Sequence, residues 1–290
     1  MEISTTRSQE KLGAASPIGI LGASSVVARD LTRLLSAEYQ PLLFSRGDAE
    51  RNNTVFADDV SVPFWISVTP IWAIPNYFSL FLARKTLRII AVSSTSRFTK
   101  TDSPIEDERL VAVQLSEGER TFEQWARAYG IEFLILRPTV IYGRGRYLSV
   151  SPIARHIARF GFFPVAGAAA GRRQPLHSED LAIACIQVLE TTHLAGIAYE
   201  VPGGETLSCL EMVGRIFDAL GKRRLFVRLP VPVLSAAVCC ARLAQRFSHL
   251  TRAMAKRMNE DLVFDCTAAA RDFGFAPRRF KPQIEDLLAS

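Results

Sequence analysis

Two rhythms of apolar and polar positions run through this chain. Short apolar runs closed by Gly, Ser or Pro recur at Ile18–Leu21, Pro41–Phe44, Phe64–Val68, Leu87–Val92 and Ile131–Leu136, and runs of that length and composition read as buried strands. Between them the period lengthens. Val27, Leu31, Leu34 and Leu35 share one helical face, and a long helical stretch covers Glu106 to Tyr129. Strands alternating with helices predict an α/β fold with a parallel sheet covered on both faces. Only residues 47–63 separate the end of the second strand from the third, too few for the two further helices and a strand of a full doubly wound unit. The sheet is therefore expected to be abbreviated between its second and fourth strands.

Beyond Gly143 the pattern breaks into segments divided by Gly and Pro. Ile153–Phe160 reads as a helix, Gly161–Gly171 as a Gly- and Ala-rich loop, and Ser178–Glu190 as a helix with Leu181, Cys185, Val188 and Leu189 along one side. Ala198–Val201 reads as a strand, Leu207–Leu220 as a helix and Leu225–Leu229 as a last strand, with no internal repeat. These divisions predict a loose tail over 1–16, a nucleotide-binding domain over 17–145 with parts of 174–202, and a smaller C-terminal α/β lobe that makes up most of 146–290. Pro63–Ala83 lacks charge and is about long enough to span a bilayer. Pro70 and Pro75 divide it, so it reads as strand, loop and short helix, and no transmembrane span is expected.

Composition narrows the chemistry. The 290 residues are 48% hydrophobic and carry a formal charge of +6, which fits a folded protein with a large core. Its basic residues are dispersed, densest at Arg172-Arg173, Lys222–Arg224 and Arg278–Lys281, without the interleaved aromatics of a nucleic-acid groove. Small anionic molecules are the favoured partners. Cys185, Cys209, Cys239, Cys240 and Cys266 form no C-x-x-C or His-linked spacing. They read as reduced thiols of a cytoplasmic protein, with no metal site.

The first strand, turn and helix carry the candidate chemistry. Gly22 can make the tight turn, and Ser24, Ser25 and Val26 present the N-terminus of the following helix, whose free amides and dipole suit a diphosphate. Ser25 and Ala28 stand where a G-x-x-G-x-x-G loop has glycine, so a plain turn without ligand is the alternative. At the end of the second strand, an acidic residue favours NAD and a basic one accommodates the extra phosphate of NADP. Arg46 stands there. If a dinucleotide binds, NADP is preferred over NAD; the alternative is a solvated turn arginine.

Five motifs in order extend this reading: LGASSVVA at Leu21–Ala28, VSSTS at Val92–Ser96, LRPTVIYGRG at Leu136–Gly145, QPLHSEDLA at Gln174–Ala182 and YEVPGGETLS at Tyr199–Ser208. The set resembles the NAD-dependent epimerase/dehydratase family, the extended and atypical short-chain dehydrogenases/reductases, from Pro17 onward. The resemblance implies a Rossmann-type sheet for NAD(P) and a C-terminal lobe for a small-molecule substrate, often a nucleotide sugar; a homodimer is compatible with it. It places Thr95 on the catalytic Ser/Thr, Ser93 and Pro138 beside the cofactor, and Arg172, Arg173 and His177 near a substrate phosphate. For Arg172 and Arg173 a surface pair is the competing reading, and for His177 and Asp180 a buried polar pair or helix cap. Met254–Phe275 resembles the closing helix and short strand of atypical members.

One part of the family pattern is missing. Its Tyr-x-x-x-Lys dyad aligns with Val111 and Leu115, and none of Tyr39, Tyr77, Tyr129, Tyr142, Tyr147 and Tyr199 is followed at the fourth position by lysine. Val111, Leu115, Gly118, Phe122, Trp125 and Tyr129 form an apolar helical stripe instead. Two readings follow. Either an oxidoreductase or epimerase uses Thr95 with Lys100 or Tyr142 as proton donor, or the protein is a non-catalytic dinucleotide-binding sensor or assembly partner.

Overall fold

The computed structural model describes residues 12–45, 60–144, 150–191, 193–229 and 257–288. Strand β1 (Pro17–Leu21) leads into α1 (Val26–Leu35) and β2 (Gln40–Phe44); β3 (Phe64–Ser67) leads through a 3-10 helix (Ile71–Tyr77) and α2 (Phe78–Ala83) to β4 (Arg88–Val92). A short α3 (Ser96–Thr99), the long α4 (Glu106–Ala128) and β5 (Glu132–Pro138) follow. The sheet runs in the order β10–β5–β4–β3–β1–β2, all parallel, with β10 (Ile197–Val201) added beside β5 from far along the chain. Both faces are covered, which is why these strands are continuous apolar runs.

Alternation along each strand sorts the two cores. Ile18, Ile20, Ile66, Ile90, Leu134 and Leu136 face α1 and α6 (Ser178–Glu190), whereas Leu21, Trp65, Ile89, Phe133 and Ile135 face α4 and the 3-10 helix. Gly118 lets α4 approach closely: a Cβ there would stand 2.8 Å from the Trp72 amide nitrogen. The proline-broken segment reads correctly as strand, 3-10 turn and short helix. Among the described residues no helix is long and apolar enough to cross a membrane.

A further core gathers Tyr142, Ala154, Ile157, Phe163, Val165, Val213, Phe217 and Phe280. It is built from β6 (Ile141–Tyr142), α5 (Ser151–Phe160), β7 (Phe163–Ala166), α7 (Cys209–Ala219) and the closing α9 (Ile284–Leu287), whereas α8 (Thr267–Phe273) packs Ala269 and Phe273 into the core shared by α1 and α6. Here the sequence pattern misleads twice. The expected loop 161–171 contains β7, which pairs in parallel with β12 (Phe226–Leu229) in the register Phe163↔Phe226 to Ala166↔Leu229. The helix expected from Leu207 begins at Cys209. Leu207–Ser208 is instead β11, antiparallel to β8 (Arg172–Arg173), and the Ser208 hydroxyl caps the helix by accepting from Glu211 N at 3.0 Å. The closing segment has its helix, but residues 257–264 form no strand. They lie as an irregular strap, with Leu262 N donating to Arg172 O at 2.9 Å.

Candidate functional site

At the C-terminal edge of the sheet, β1 ends in a turn that only glycine fits. Gly22 has φ +102°, and a Cβ on it would lie 3.0 Å from Thr69 N and 3.1 Å from the Val68 carbonyl carbon. Its amide and that of Ala23 donate to Phe44 O at 3.0 and 3.2 Å, closing the turn onto β2. Ser25 is the N-cap of α1, its hydroxyl accepting from Val27 N at 3.2 Å. The amides of Ser24 and Val26 meet no acceptor among the described residues. Ala28, at the third glycine position, is fully buried against the sheet, where a small residue serves helix packing. Open amides at the positive end of a ten-residue helix fit a diphosphate. Arg46 lies outside the described residues.

Along the same edge, Ser93 and Thr95 follow β4. The Thr95 hydroxyl donates to Pro138 O at 3.1 Å, and its amide bonds the same carbonyl at 3.1 Å, so Thr95 and Pro138 join the ends of β4 and β5. Ser93 donates to Glu119 Oε1 at 2.6 Å. Glu119, only 3% exposed, also receives Arg137 Nη2 at 2.7 Å and an ion pair from Arg97, and Arg137 reaches on to Glu200 at 3.0 Å. The Phe98 ring lies against both guanidiniums, at 5.0 and 5.4 Å. Nearby, burial draws the Lys100 ammonium below its ordinary value; Glu108 opposes this and Arg257 adds to it. Lys100 makes no ion pair among the described residues, while Glu108 is held by both terminal nitrogens of Arg257 at 2.6 and 2.7 Å.

The positions aligned with the missing dyad are apolar in space as in sequence. Leu115 is 4% exposed and packs in the core with Leu21, Ile71 and Ile135, and Val111 packs against the same cluster. Tyr142 is 1% exposed, its ring edge-on to His177 at 5.0 Å and to Phe280 at 4.8 Å. Burial, reinforced by Asp286 and Asp180, pushes its hydroxyl well above the ordinary tyrosine value.

Arg172, Arg173 and Arg278 of the C-terminal lobe are engaged with its own backbone and carboxylates. Arg172 pairs with Asp261 at 2.7 Å, and Arg173 donates to Glu260 O at 2.6 Å and to Arg257 O. His177 caps α6: its Nδ1 accepts from Glu179 N at 3.1 Å, which leaves Nε2 to donate to Asp286 Oδ1 at 3.1 Å. Asp180 receives Arg278 Nε at 2.7 Å and Arg278 N at 2.9 Å. Cap and polar pair are thus the geometry of His177 and Asp180.

The sequence model described as the NAD dependent epimerase/dehydratase family matches residues 82–201. Over this segment the chain is similar to the NAD dependent epimerase/dehydratase family. The matched segment holds Thr95, Lys100, Val111, Leu115, Tyr142 and His177, while the Gly22 turn precedes it. The NADH dehydrogenase [ubiquinone] 1 alpha subcomplex subunit 9, mitochondrial, of Arabidopsis thaliana is 26% identical over 106 residues, 36% of this chain and 26% of that protein's length. Among solved structures, RMD from Pseudomonas aeruginosa complexed with NADPH superposes with a TM-score of 0.66 at 17% identity, over 95% of this chain and 98% of that one. The UDP-glucuronic acid 4-epimerase from Bacillus cereus in complex with NAD does so with 0.63 at 15% identity, over 94% and 96%. Likeness at these identities is likeness of fold.

Three members of the site were not found from the sequence. Glu119 and Arg137 carried a signal: each is a charged residue at a buried register position, Glu119 four residues after Leu115 on the apolar face of α4 and Arg137 inside the β5 run. Asp30 gave less warning. It is buried on α1, where it accepts from Arg144 Nη2 at 2.6 Å and from Ser178 Oγ at 2.7 Å.

Proposed function

We propose that this chain binds a nicotinamide dinucleotide at the C-terminal edge of its sheet and serves as a non-catalytic sensor or assembly protein. The observation that carries this reading is the burial of Leu115 in the core where the family's lysine would stand, with Val111 in place of its tyrosine. Without that pair, no phenol is poised to exchange a proton with substrate. Other polar groups nearby are already engaged: Ser93 with Glu119, Thr95 with Pro138, Arg173 with backbone carbonyls. Gly22 and the amides of Ser24 and Val26 would hold the diphosphate, with Ser25 fixing the helix start. The bound group supplies a nicotinamide ring able to accept or donate hydride. Arg46 favours NADP over NAD. Support also comes from the relative named as a subunit of NADH dehydrogenase, an assembly. In this reading the domain over 17–145 holds the dinucleotide and the lobe after it faces the partner or substrate.

A second reading rests on Lys100, whose ammonium has no ion-pair partner among the described residues and follows the Thr95 helix directly. In it, Thr95 polarises a carbonyl of a nucleotide sugar and Lys100 donates the proton. Calorimetric titration with NADPH, NADH, NADP and NAD, followed by nicotinamide absorbance with nucleotide sugars added, separates the readings. Binding without any change in cofactor redox state supports the first. Turnover abolished by Lys100→Met would replace it with the second, and no binding by any dinucleotide would overturn both. In the same titration, Arg46→Ala is expected to weaken NADPH by about 1.5–3 kcal/mol and leave NADH unchanged.

A further inference from the structure

Because β7 and β12 run parallel, the residues leading into them meet at one pole of the C-terminal lobe, where Phe163 N donates to Leu225 O at 2.9 Å. Helices α5 and α7 end at the same pole, at Gly161 and Leu220. Leu225 is 54% exposed there and Val227 39%, with the half-exposed Phe160 ring under the Arg159 guanidinium at 5.1 Å. Arg159, Lys222 and Arg223 lie at the chain ends beside these tips and Arg155 one turn earlier on α5; all are exposed, and none forms an ion pair among the described residues. The acidic residues close by, Glu211 and Asp218, are taken by Arg224 at 3.1 and 2.5 Å. Elsewhere on this surface many exposed arginines meet a carboxylate, as Arg33 does with Glu179 and Arg127 with Glu123.

Four uncompensated cations around aliphatic tips are more than the two helix C-termini need for their dipoles. The tips Leu225 and Val227 offer a base no hydrogen bond and no ring, and the Phe160 ring is already faced by the Arg159 guanidinium, so the combination suits a lipid surface better than a nucleic acid. The sequence continues the same chemistry: Pro230–Ala241 contains no charged residue, and Arg242, Arg246 and Arg252 follow.

We propose that this pole docks the protein on an anionic bilayer surface, with Leu225 and Val227 at the headgroup boundary and Arg155, Arg159, Lys222 and Arg223 among the lipid phosphates. The test is co-sedimentation of the full chain with phosphatidylcholine vesicles, with and without phosphatidylserine. Binding is expected only to the anionic vesicles and should fall as salt rises. Lys222→Glu/Arg223→Glu should lower partitioning by at least about tenfold, Leu225→Ser should lower it with the salt dependence kept, and Arg120→Glu on α4 should leave it unchanged. Thermal melts of each variant separate loss of docking from loss of fold. Equal binding to neutral vesicles, no binding at all, unchanged binding by the double variant, or retention by polyuridylate in place of vesicles would each overturn the assignment. None of these outcomes depends on whether a dinucleotide binds.

Discussion

Gly22→Ala would place a methyl carbon 3.0 Å from the Thr69 amide and hold an L residue at φ +102°. Such strain costs about 1–3 kcal/mol, so the variant should melt earlier and lose dinucleotide binding in calorimetry. Undiminished binding would move the diphosphate away from this turn. Glu119 is a different kind of requirement, since its carboxylate neutralises the half-buried Arg97 and Arg137 together. Glu119→Ala is expected to cost about 3–5 kcal/mol in urea unfolding. The Asp286 carboxyl gives the acid limb of stability. Burial works against its charge, but hydrogen bonds from His177 and Gln283 N prevail and hold it below the ordinary aspartate value. The folded state therefore favours the ionised form. That stabilisation is present above the unfolded carboxyl's pKa of about 4 and is lost as pH falls through the lower folded value. Thermal midpoints measured from about pH 3 to 6 should fall less steeply in Asp286→Asn than in the parent chain.

Among the elements, the long helix α4 was the most legible and strand β7 the least. The period of α4 is sustained from Glu106 to Ala128, and its apolar stripe is the face that packs on the sheet and the 3-10 helix. Local repetition of that kind is what a sequence displays. By contrast β7 has four residues, Phe163–Ala166, and is a strand because Phe226–Leu229 lies beside it, sixty-odd positions away in the chain. No local period announces such a pairing. The site divides the same way. The Gly22 turn and the His177 cap follow from residue types with one local role, whereas Thr95 to Pro138 and Asp30 to Arg144 join residues far apart in the chain. Rebuilding the family dyad as Val111→Tyr/Leu115→Lys tests the element directly. An unpaired ammonium at Leu115 should destabilise the chain by roughly 3–5 kcal/mol, and no turnover should appear.

At the scale of the whole molecule, the strap 257–264 ties the C-terminal lobe to α3 and α4 beside the six-stranded sheet. Arg257 grips Glu108 on α4, Phe264 meets Phe98 at 6.3 Å, and Gln174 pairs with Phe264 through both its amide groups, at 2.8 and 3.2 Å. Arg257→Ala should therefore loosen both sides together, costing about 2 kcal/mol for a pair that retains some solvent and increasing cleavage of the strap by protease. The motif order made the family resemblance legible, because turns and caps are set by short local stretches, whereas the packing between them is not. That packing constrains what can be changed. Leu115 fits against Leu21, Ile71 and Ile135, and a lysine could return to its place only if those neighbours changed in concert. Substitutions at Val111 and Leu115 alone would leave the new side chains without room or partners, whereas a coordinated set could house them. The packing of α4 acts as a ratchet: with Leu21, Ile71 and Ile135 closed around it, the Leu115 position resists any single change to a charged side chain.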